Sequence, residues 1–171
     1  SLFSLCHTVW LHYTKEVLTN VGHKKLNRNV NPFSANIIYN KIEADMKITT
    51  KQFQILTDIN LVWDFLVETY DREKSGRIVA PFFEYAILSS WMDNSYSYLN
   101  RFWFDGDKVV AFVFYESPVT DTYIKVRQGY EFLADEIVDY AINNMPDFGE
   151  LQFMLFNGQE YLMEAVKKRG F

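Results

Sequence analysis

The sequence contains one cysteine, Cys6, in 171 residues. A single cysteine excludes an intramolecular disulfide and is typical of a reducing compartment, so we expect a cytoplasmic protein. No apolar run reaches the roughly 20 residues that a membrane-spanning helix requires. The basic segment and small-residue cleavage site of a signal peptide are also missing. These absences predict a protein without a membrane partner.

Positive charge is in short supply as well. There are 17 Lys and Arg against 22 Asp and Glu, which gives a formal net charge of -5 and a pI near 5.2. This balance provides no general attraction to nucleic acid, so we expect no nucleic-acid partner. Cys6, His7 and His12 are close in sequence, but their spacing matches no zinc pattern, and we expect no metal site.

Apolar and aromatic residues, in contrast, are abundant. They amount to 49% and 18% of the sequence, respectively, which predicts a folded core and argues against disorder. We divide the chain into an N-terminal extension or linker, residues 1–45, and a domain, residues 46–171. Met46 and the residues after it resemble a natural start, so the upstream part is a separate module, an extension or sequence from a gene-boundary error.

A hairpin organises the domain. Asp105-Gly106 lies between Tyr98–Asp105 and Lys108–Glu116, two runs rich in aromatic and β-branched residues, and this pair is typical of a tight turn between antiparallel strands. The second run is apolar on both faces, which predicts helices above and below a central sheet. Its expected faces are Val109, Ala111, Val113 and Tyr115 on one side, and Val110, Phe112 and Phe114 on the other.

Hydrophobic periodicity gives the remaining elements. Thr57 or Asp58 is expected to cap a first helix, and Pro81 to begin a second whose apolar positions are Phe82, Tyr85, Ala86 and Leu88. The later elements follow in order: a strand Thr122–Val126, a long helix Tyr130–Asn143, a strand Leu151–Phe156, and a last helix that Asn157 can cap and that ends in Gly170-Phe171.

The order strand, helix, helix, hairpin, strand, long helix, strand and helix resembles the Gcn5-related N-acetyltransferase (GNAT) family over about Met46 to Phe171. Its most specific parts are the hairpin, the turn from Val126 to Tyr130 and the closing Lys168-Arg169-Gly170-Phe171. The resemblance implies an α+β fold with a mixed, mostly antiparallel twisted sheet and helices on both faces. The family normally continues into two more strands, so we expect the last two strands to be missing, and Leu151–Phe156 to leave an open sheet edge.

The resemblance also implies an activity, the transfer of acetyl from acetyl-CoA to an amine on a small molecule or peptide. In that family the third strand of the antiparallel part pairs with the pantetheine arm, and amides at the next helix N-terminus bind the pyrophosphate. The cofactor residues implied here are Ile124, Val126, Arg127, Gln128, Gly129, Tyr130, Ala134 and Asn157.

The sequence departs from the family pattern at its functional positions. The phosphate-loop signature, Gln or Arg followed by two residues, Gly, one residue and Gly or Ala, fails from both Arg127 and Gln128. Glu131, Asp135 and Glu136 lie at the expected helix start, where each would repel phosphate by about 1 kcal/mol. The family's general acid, a Tyr four residues before the closing Gly, is replaced by Val166.

The candidates for acid–base chemistry are Glu116 and Tyr123, which lie where this fold places its acceptor amine. A carboxylate there can take a proton from an ammonium, although a solvent-exposed Glu116 and a packed Tyr123 are the simpler interpretation. Two hypotheses follow. The domain is an acetyl-CoA-dependent N-acetyltransferase, or it is a non-catalytic GNAT-like module that pairs with a second acetyltransferase domain or with another copy of itself.

Overall fold

The computed structural model describes residues 47–116 and 119–171. Five strands and four α-helices lie in these ranges. The strands are β1 (Ile48–Gln52), β2 (Arg101–Asp105), β3 (Lys108–Glu116), β4 (Asp121–Val126) and β5 (Gln152–Met154). The helices are α1 (Ile59–Glu68), α2 (Ala80–Leu88), α3 (Ala134–Asn144) and α4 (Glu160–Lys167). The predictions for residues 1–45, including Cys6, His7 and His12, lie outside the described residues.

The strands form one sheet in the order β1-β2-β3-β4-β5. The first four are antiparallel neighbours, whereas β4 and β5 are parallel and are connected through α3. The α+β class and the mixed, mostly antiparallel sheet are therefore confirmed. Among the described strands, β1 and β5 are the two edges of the sheet.

Helices cover both faces of the sheet, as the doubly apolar β3 predicts. One apolar cluster joins α1 and α2 to the sheet through residues such as Phe65, Phe83 and Phe112. The other joins α3 and α4 to the opposite face, with Ile137 and Leu162 at its centre. Residues 109–115 of β3 are buried throughout, so this strand contributes side chains to both clusters.

The hairpin contains a β-bulge, and the predicted faces of β3 are therefore wrong at Val109 and Val110. The register moves from Trp103 opposite Ala111 to Phe104 opposite Val109, which leaves Val110 without a partner residue in β2. The extra residue reverses the alternation before it. Val109 therefore packs with the α1–α2 face and Val110 with the α3–α4 face, the opposite of the prediction.

Several predicted boundaries are wrong because local hydrogen bonds compete with regular structure. Residues 98–100 do not belong to β2, since Asp93 accepts a hydrogen bond from the Ser95 amide and starts a 3-10 helix, Asn94–Leu99. Residues 130–133 precede α3, because the 3-10 helix Glu131–Leu133 comes first. β5 covers only the centre of the predicted 151–156 strand.

The predicted caps and the outward face of α2 also need correction. Asp58 occupies the cap position of α1, but its carboxylate accepts from Lys51 and from the Gln54 amide instead of from the helix. α4 is preceded by Gln159 rather than capped by Asn157. On α2, Phe83 and Ile87 face the core, while Tyr85 and Leu88 are exposed, because α2 has apolar residues around most of its circumference.

Candidate functional site

A cleft of about 410 Å³ lies at the carboxyl end of β4. Its walls come from three parts of the chain that the fold brings together: the end of α1 and the connection after it, the β4–α3 turn, and the start of α4. The lining residues are Glu68, Thr69, Tyr70, Asp71, Lys74, Lys125, Val126, Arg127, Gln128, Glu131, Gly158, Gln159 and Tyr161. Ends of parallel strands are common ligand sites, since the ladder stops there and backbone groups need other partners.

The β4–β5 ladder ends early, and a side chain takes over from it. Backbone pairing stops at Tyr123 and Met154. Beyond that point, the buried Gln159 side chain donates from Nε2 to the Ile124 carbonyl oxygen at 2.7 Å and accepts from the Phe156 amide at 2.9 Å. Gln159 thus bridges the two chain segments and satisfies a β4 carbonyl that could otherwise bind a ligand.

The turn after β4 is also satisfied internally. The Arg127 guanidinium donates to Glu68 at 2.7 Å and to the Val109 carbonyl oxygen at 3.0 Å. Gly129 has a φ of +91°, which suits glycine, and its amide donates to the Glu131 carboxylate at 2.8 Å. Glu131 therefore occupies the backbone donor at which an anion would bind.

The other two acids near the start of α3 are paired. Asp135 accepts from both Lys168 and Arg169, and these hydrogen bonds hold its pKa below the usual range. Glu136 accepts from the indole nitrogen of Trp103 at 2.8 Å. The expectation that all three acids repel phosphate equally is thus refined, because Asp135 is locally balanced by cations while Glu131 lines the cleft.

Lys125 is a cleft residue that the sequence prediction missed. Its side chain is buried, and Nζ donates to Ser75 Oγ at 2.9 Å. Burial lowers the pKa of Lys125, and the negative charge of Asp71 opposes this effect. The available signal was a lysine inside the apolar strand Tyr123-Ile124-Lys125-Val126, where a charged side chain requires a special environment.

Glu116 and Tyr123, the predicted acid–base candidates, are in contact. The Tyr123 hydroxyl donates to Glu116 Oε2 at 2.9 Å. Burial raises the pKa of Glu116, while the hydrogen bond from Tyr123 lowers it; burial and the carboxylate raise the pKa of Tyr123. Glu116 is the last residue of β3 and is partly exposed, and the contact with Tyr123 adds to its interpretation as a strand end in solvent. Neither residue lines the cleft.

The predicted cofactor residues divide into two groups. Val126, Arg127 and Gln128 line the cleft, and Ile124 provides the carbonyl beneath Gln159. The others do not line it: Gly129 binds Glu131, Tyr130 donates to Asp105, Ala134 is buried in the core and Asn157 is exposed. Besides Lys125, the prediction did not include Gln159 or Tyr161, which also line the cleft.

Comparison with protein-family models, curated proteins and solved structures gave no match to this chain. Among residues 47–116 and 119–171, no group of three or more His, Cys, Asp or Glu side chains could hold a metal ion. No helix in this part of the chain has the length and apolar character needed to cross a membrane.

Proposed function

We propose that residues 46–171 form a GNAT-like N-acetyltransferase domain that binds acetyl-CoA in the β4–α3 cleft and transfers its acetyl group to an amine. The main support is the location of the cleft. It opens where β4 runs into the turn before α3, beside the start of α4, and contains Val126, Arg127 and Gln128. The proposed location in the cell is cytoplasmic and is supported by the single cysteine.

The charges of the cleft are mixed. Lys74 and Arg127 contribute positive charge and suit a phosphate-bearing ligand. Glu68, Asp71 and Glu131 offset them, and Arg127 is already paired with Glu68. A phosphate that binds to Arg127 or to the Gly129 amide must displace the present partner, Glu68 or Glu131, and this exchange weakens binding.

The proposed reaction is direct attack of an amine on the thioester, in which the domain acts mainly by holding the two reactants together. Glu116 lies opposite Asp121 at the amino end of β4 and outside the cleft, so it is the candidate proton acceptor for a thioester that extends along β4 to that end. Burial raises the pKa of Glu116, which makes its carboxylate a better base near neutral pH. Tyr123 positions it through the 2.9 Å hydrogen bond. The partner in this proposal is an amine on a small molecule or a peptide.

Isothermal titration calorimetry of the full chain with acetyl-CoA tests the proposal. We expect binding in the high micromolar range, since Glu131 blocks a backbone donor and adds like charge. Adenosine serves as the matched ligand without phosphate and thioester and should bind more weakly. Absence of acetyl-CoA binding at millimolar concentration would contradict the proposal, whereas low micromolar binding would show that the cleft is not degenerate.

Two contacts favour the second candidate function, a non-catalytic GNAT-like module. Glu131 occupies the Gly129 amide, and Gln159 occupies the Ile124 carbonyl, so the backbone groups on which the cofactor would depend are satisfied by the chain itself. Such a module would pair with a second GNAT domain or with another copy of itself. Sedimentation velocity of the full chain over a hundred-fold concentration range tests the homodimer, and a monomer throughout would leave the heterologous pairing.

A further inference from the structure

We propose that Lys125 is an acyl acceptor, a lysine whose amine is acylated by a thioester held in the cleft. The inference rests on the proposed function only for the source of the acyl group. The observation that carries it is the position of a buried lysine in the wall of the 410 Å³ cleft. Other lysines on this surface, such as Lys74, are exposed.

The surroundings of Lys125 favour an uncharged amine. Its side chain is 7% exposed, and within the described residues it forms no ion pair. The hydroxyl of Ser75, its single hydrogen-bond partner there, also accepts from the Asp71 amide. A neutral amine can still donate to Ser75 Oγ, so this hydrogen bond is kept without a charge on the lysine and the nitrogen lone pair stays available.

Ionisable groups from each neighbouring segment line the same cleft as the amine. Burial lowers the pKa of Lys125, and Asp71 is the charge that raises it. Every unit of lowering increases the neutral, nucleophilic fraction about ten-fold at a pH well below the pKa. The ionisable groups that line the cleft around it are Glu68, Tyr70, Asp71, Lys74, Arg127, Glu131 and Tyr161.

The reaction is balanced without a further reagent. The Nζ lone pair attacks the thioester carbonyl carbon, an N–C bond forms and the C–S bond breaks. The thiolate leaves and takes up the proton that the nitrogen loses, so the products are an amide on Lys125 and a free thiol. Acylation places the acyl chain inside the cleft and leaves an amide that can no longer take up a proton, and the modified chain should bind phosphate-bearing ligands more weakly.

Peptide mass spectrometry of the full chain tests this inference with two donors, acetyl-CoA and S-acetyl-N-acetylcysteamine, a small thioester without a nucleotide. The initial acetylation rate of Lys125 is compared with those of Lys108 and Lys167, two exposed lysines outside the cleft. We expect Lys125 to be acetylated faster than either exposed lysine at pH 7.5, because burial lowers its pKa and so increases its neutral fraction.

A variant that changes only a nearby charge tests whether the acetylation rate of Lys125 depends on its pKa, and not only on how accessible the side chain is. Asp71→Asn removes the charge that raises the pKa of Lys125, while the Asn oxygen can still accept from the Glu73 and Lys74 amides. In this variant Lys125 should be acetylated faster at pH 7.5 than in the unmodified chain, and the difference in rate between the two should diminish as the pH rises. Asp64→Asn, an exposed position on α1 outside the cleft, is the matched control and should leave the rate unchanged.

The two donors separate this inference from the proposed function. Preferential labelling of Lys125 by the small thioester, with no calorimetric binding of acetyl-CoA, supports the acceptor and overturns the cofactor proposal. Labelling by acetyl-CoA alone supports both. If neither donor labels Lys125 faster than the exposed lysines, the acceptor is overturned, whatever the calorimetry shows.

Discussion

Two side chains, Glu131 and Gln159, determine what the backbone of the candidate site can offer to a ligand. Each satisfies a main-chain group that a loop or a strand end leaves without a backbone partner, the Gly129 amide in one case and the Ile124 carbonyl in the other. An unpaired buried main-chain group costs free energy. The contacts that stabilise the free protein therefore compete with a cofactor for the same main-chain groups. Substitution of Glu131 or Gln159 alone should change the affinity for that cofactor.

Replacement of Glu131 should strengthen acetyl-CoA binding. Glu131→Gln removes the negative charge but retains an oxygen that can accept from the Gly129 amide, and we expect about five-fold tighter binding, equivalent to ~1 kcal/mol. Glu131→Ala also frees the amide and should bind more tightly still. Calorimetry checks both variants, with Glu84→Gln on the exposed face of α2 as the control. Unchanged affinity in both would show that Glu131 does not limit binding.

The sequence alone suggests replacing Glu136 by Gly as well, and the structure argues against that variant. Glu136 accepts the hydrogen bond of the buried Trp103 indole, so its removal would leave a donor unsatisfied. A glycine in the first turn of α3 would also reduce helix stability. Glu131 is therefore the informative position.

The Glu116–Tyr123 pair should make stability dependent on pH. Tyr123→Phe removes the hydrogen bond to the carboxylate at little change in volume, and we expect a loss of roughly 1 kcal/mol at neutral pH. Burial already raises the pKa of Glu116 in the folded state. The charged carboxylate therefore lowers the free energy of unfolding once the pH rises above the pKa that Glu116 has in the unfolded chain. Loss of the Tyr123 donor raises that pKa further, and the penalty should therefore grow with pH.

Chemical denaturation at pH 4 and pH 8 measures this difference. Tyr70→Phe is the control, because Tyr70 is largely exposed and should show no pH-dependent effect. An equal loss for Tyr123→Phe at both pH values would mean that the phenol acts through packing and not through the carboxylate.

Among the elements, the connection between α1 and α2 lines one side of the cleft and also makes a close contact with the segment after β5. Gly76 has a φ of +54°, and a Cβ atom there would lie 2.3 Å from Cγ of the Phe156 ring. Phe156 also provides the amide that Gln159 accepts from. The glycine thus lets the connection approach the residues that hold β4 and β5 together.

Gly76→Ala should destabilise the domain more than Gly106→Ala. Both glycines have nearly the same positive φ, +54° and +58°, so both variants carry a similar backbone cost of about 1 kcal/mol. At Gly106 nothing lies within 4 Å of the added Cβ, whereas at Gly76 the Phe156 ring must move. We expect an additional loss of roughly 1–3 kcal/mol for Gly76→Ala, measured by urea denaturation. Equal losses would show that Phe156 relaxes freely.

The element order and the doubly covered sheet could be predicted because periodicity and turn residues are local signals. The bulge at Val110 could not, since it depends on the β2–β3 register, and one extra residue exchanges the two faces. The candidate site was predicted in part. Val126 to Gln128, which line the cleft, were implied by the family resemblance, but Lys125, Gln159 and the Gly129–Glu131 contact depend on which segments meet in three dimensions.

Over the whole described domain, β3 connects two apolar clusters that otherwise have different helices. Its side chains alternate between the α1–α2 face, where Phe112 and Phe114 lie, and the α3–α4 face, where Ala111 and Val113 lie. If the helices on one face of the sheet unfold, the β3 side chains on that face become exposed. The cluster on the other face also contains β3 side chains, so it is destabilised as well. The two clusters should therefore unfold together, as one cooperative unit.

A matched pair of substitutions tests this cooperativity. Ile87→Val on α2 and Ile137→Val on α3 each remove one methylene from a side chain no more than 2% exposed, one in each cluster, and each should cost about 0.5–1.5 kcal/mol. If the domain unfolds as one unit, either variant lowers the protection of the slowest-exchanging amides in α1 and α3 equally. Hydrogen-exchange mass spectrometry under EX2 conditions measures this, with the unmodified chain as reference. Loss of protection confined to the substituted face would mean that the sheet carries two independently unfolding layers.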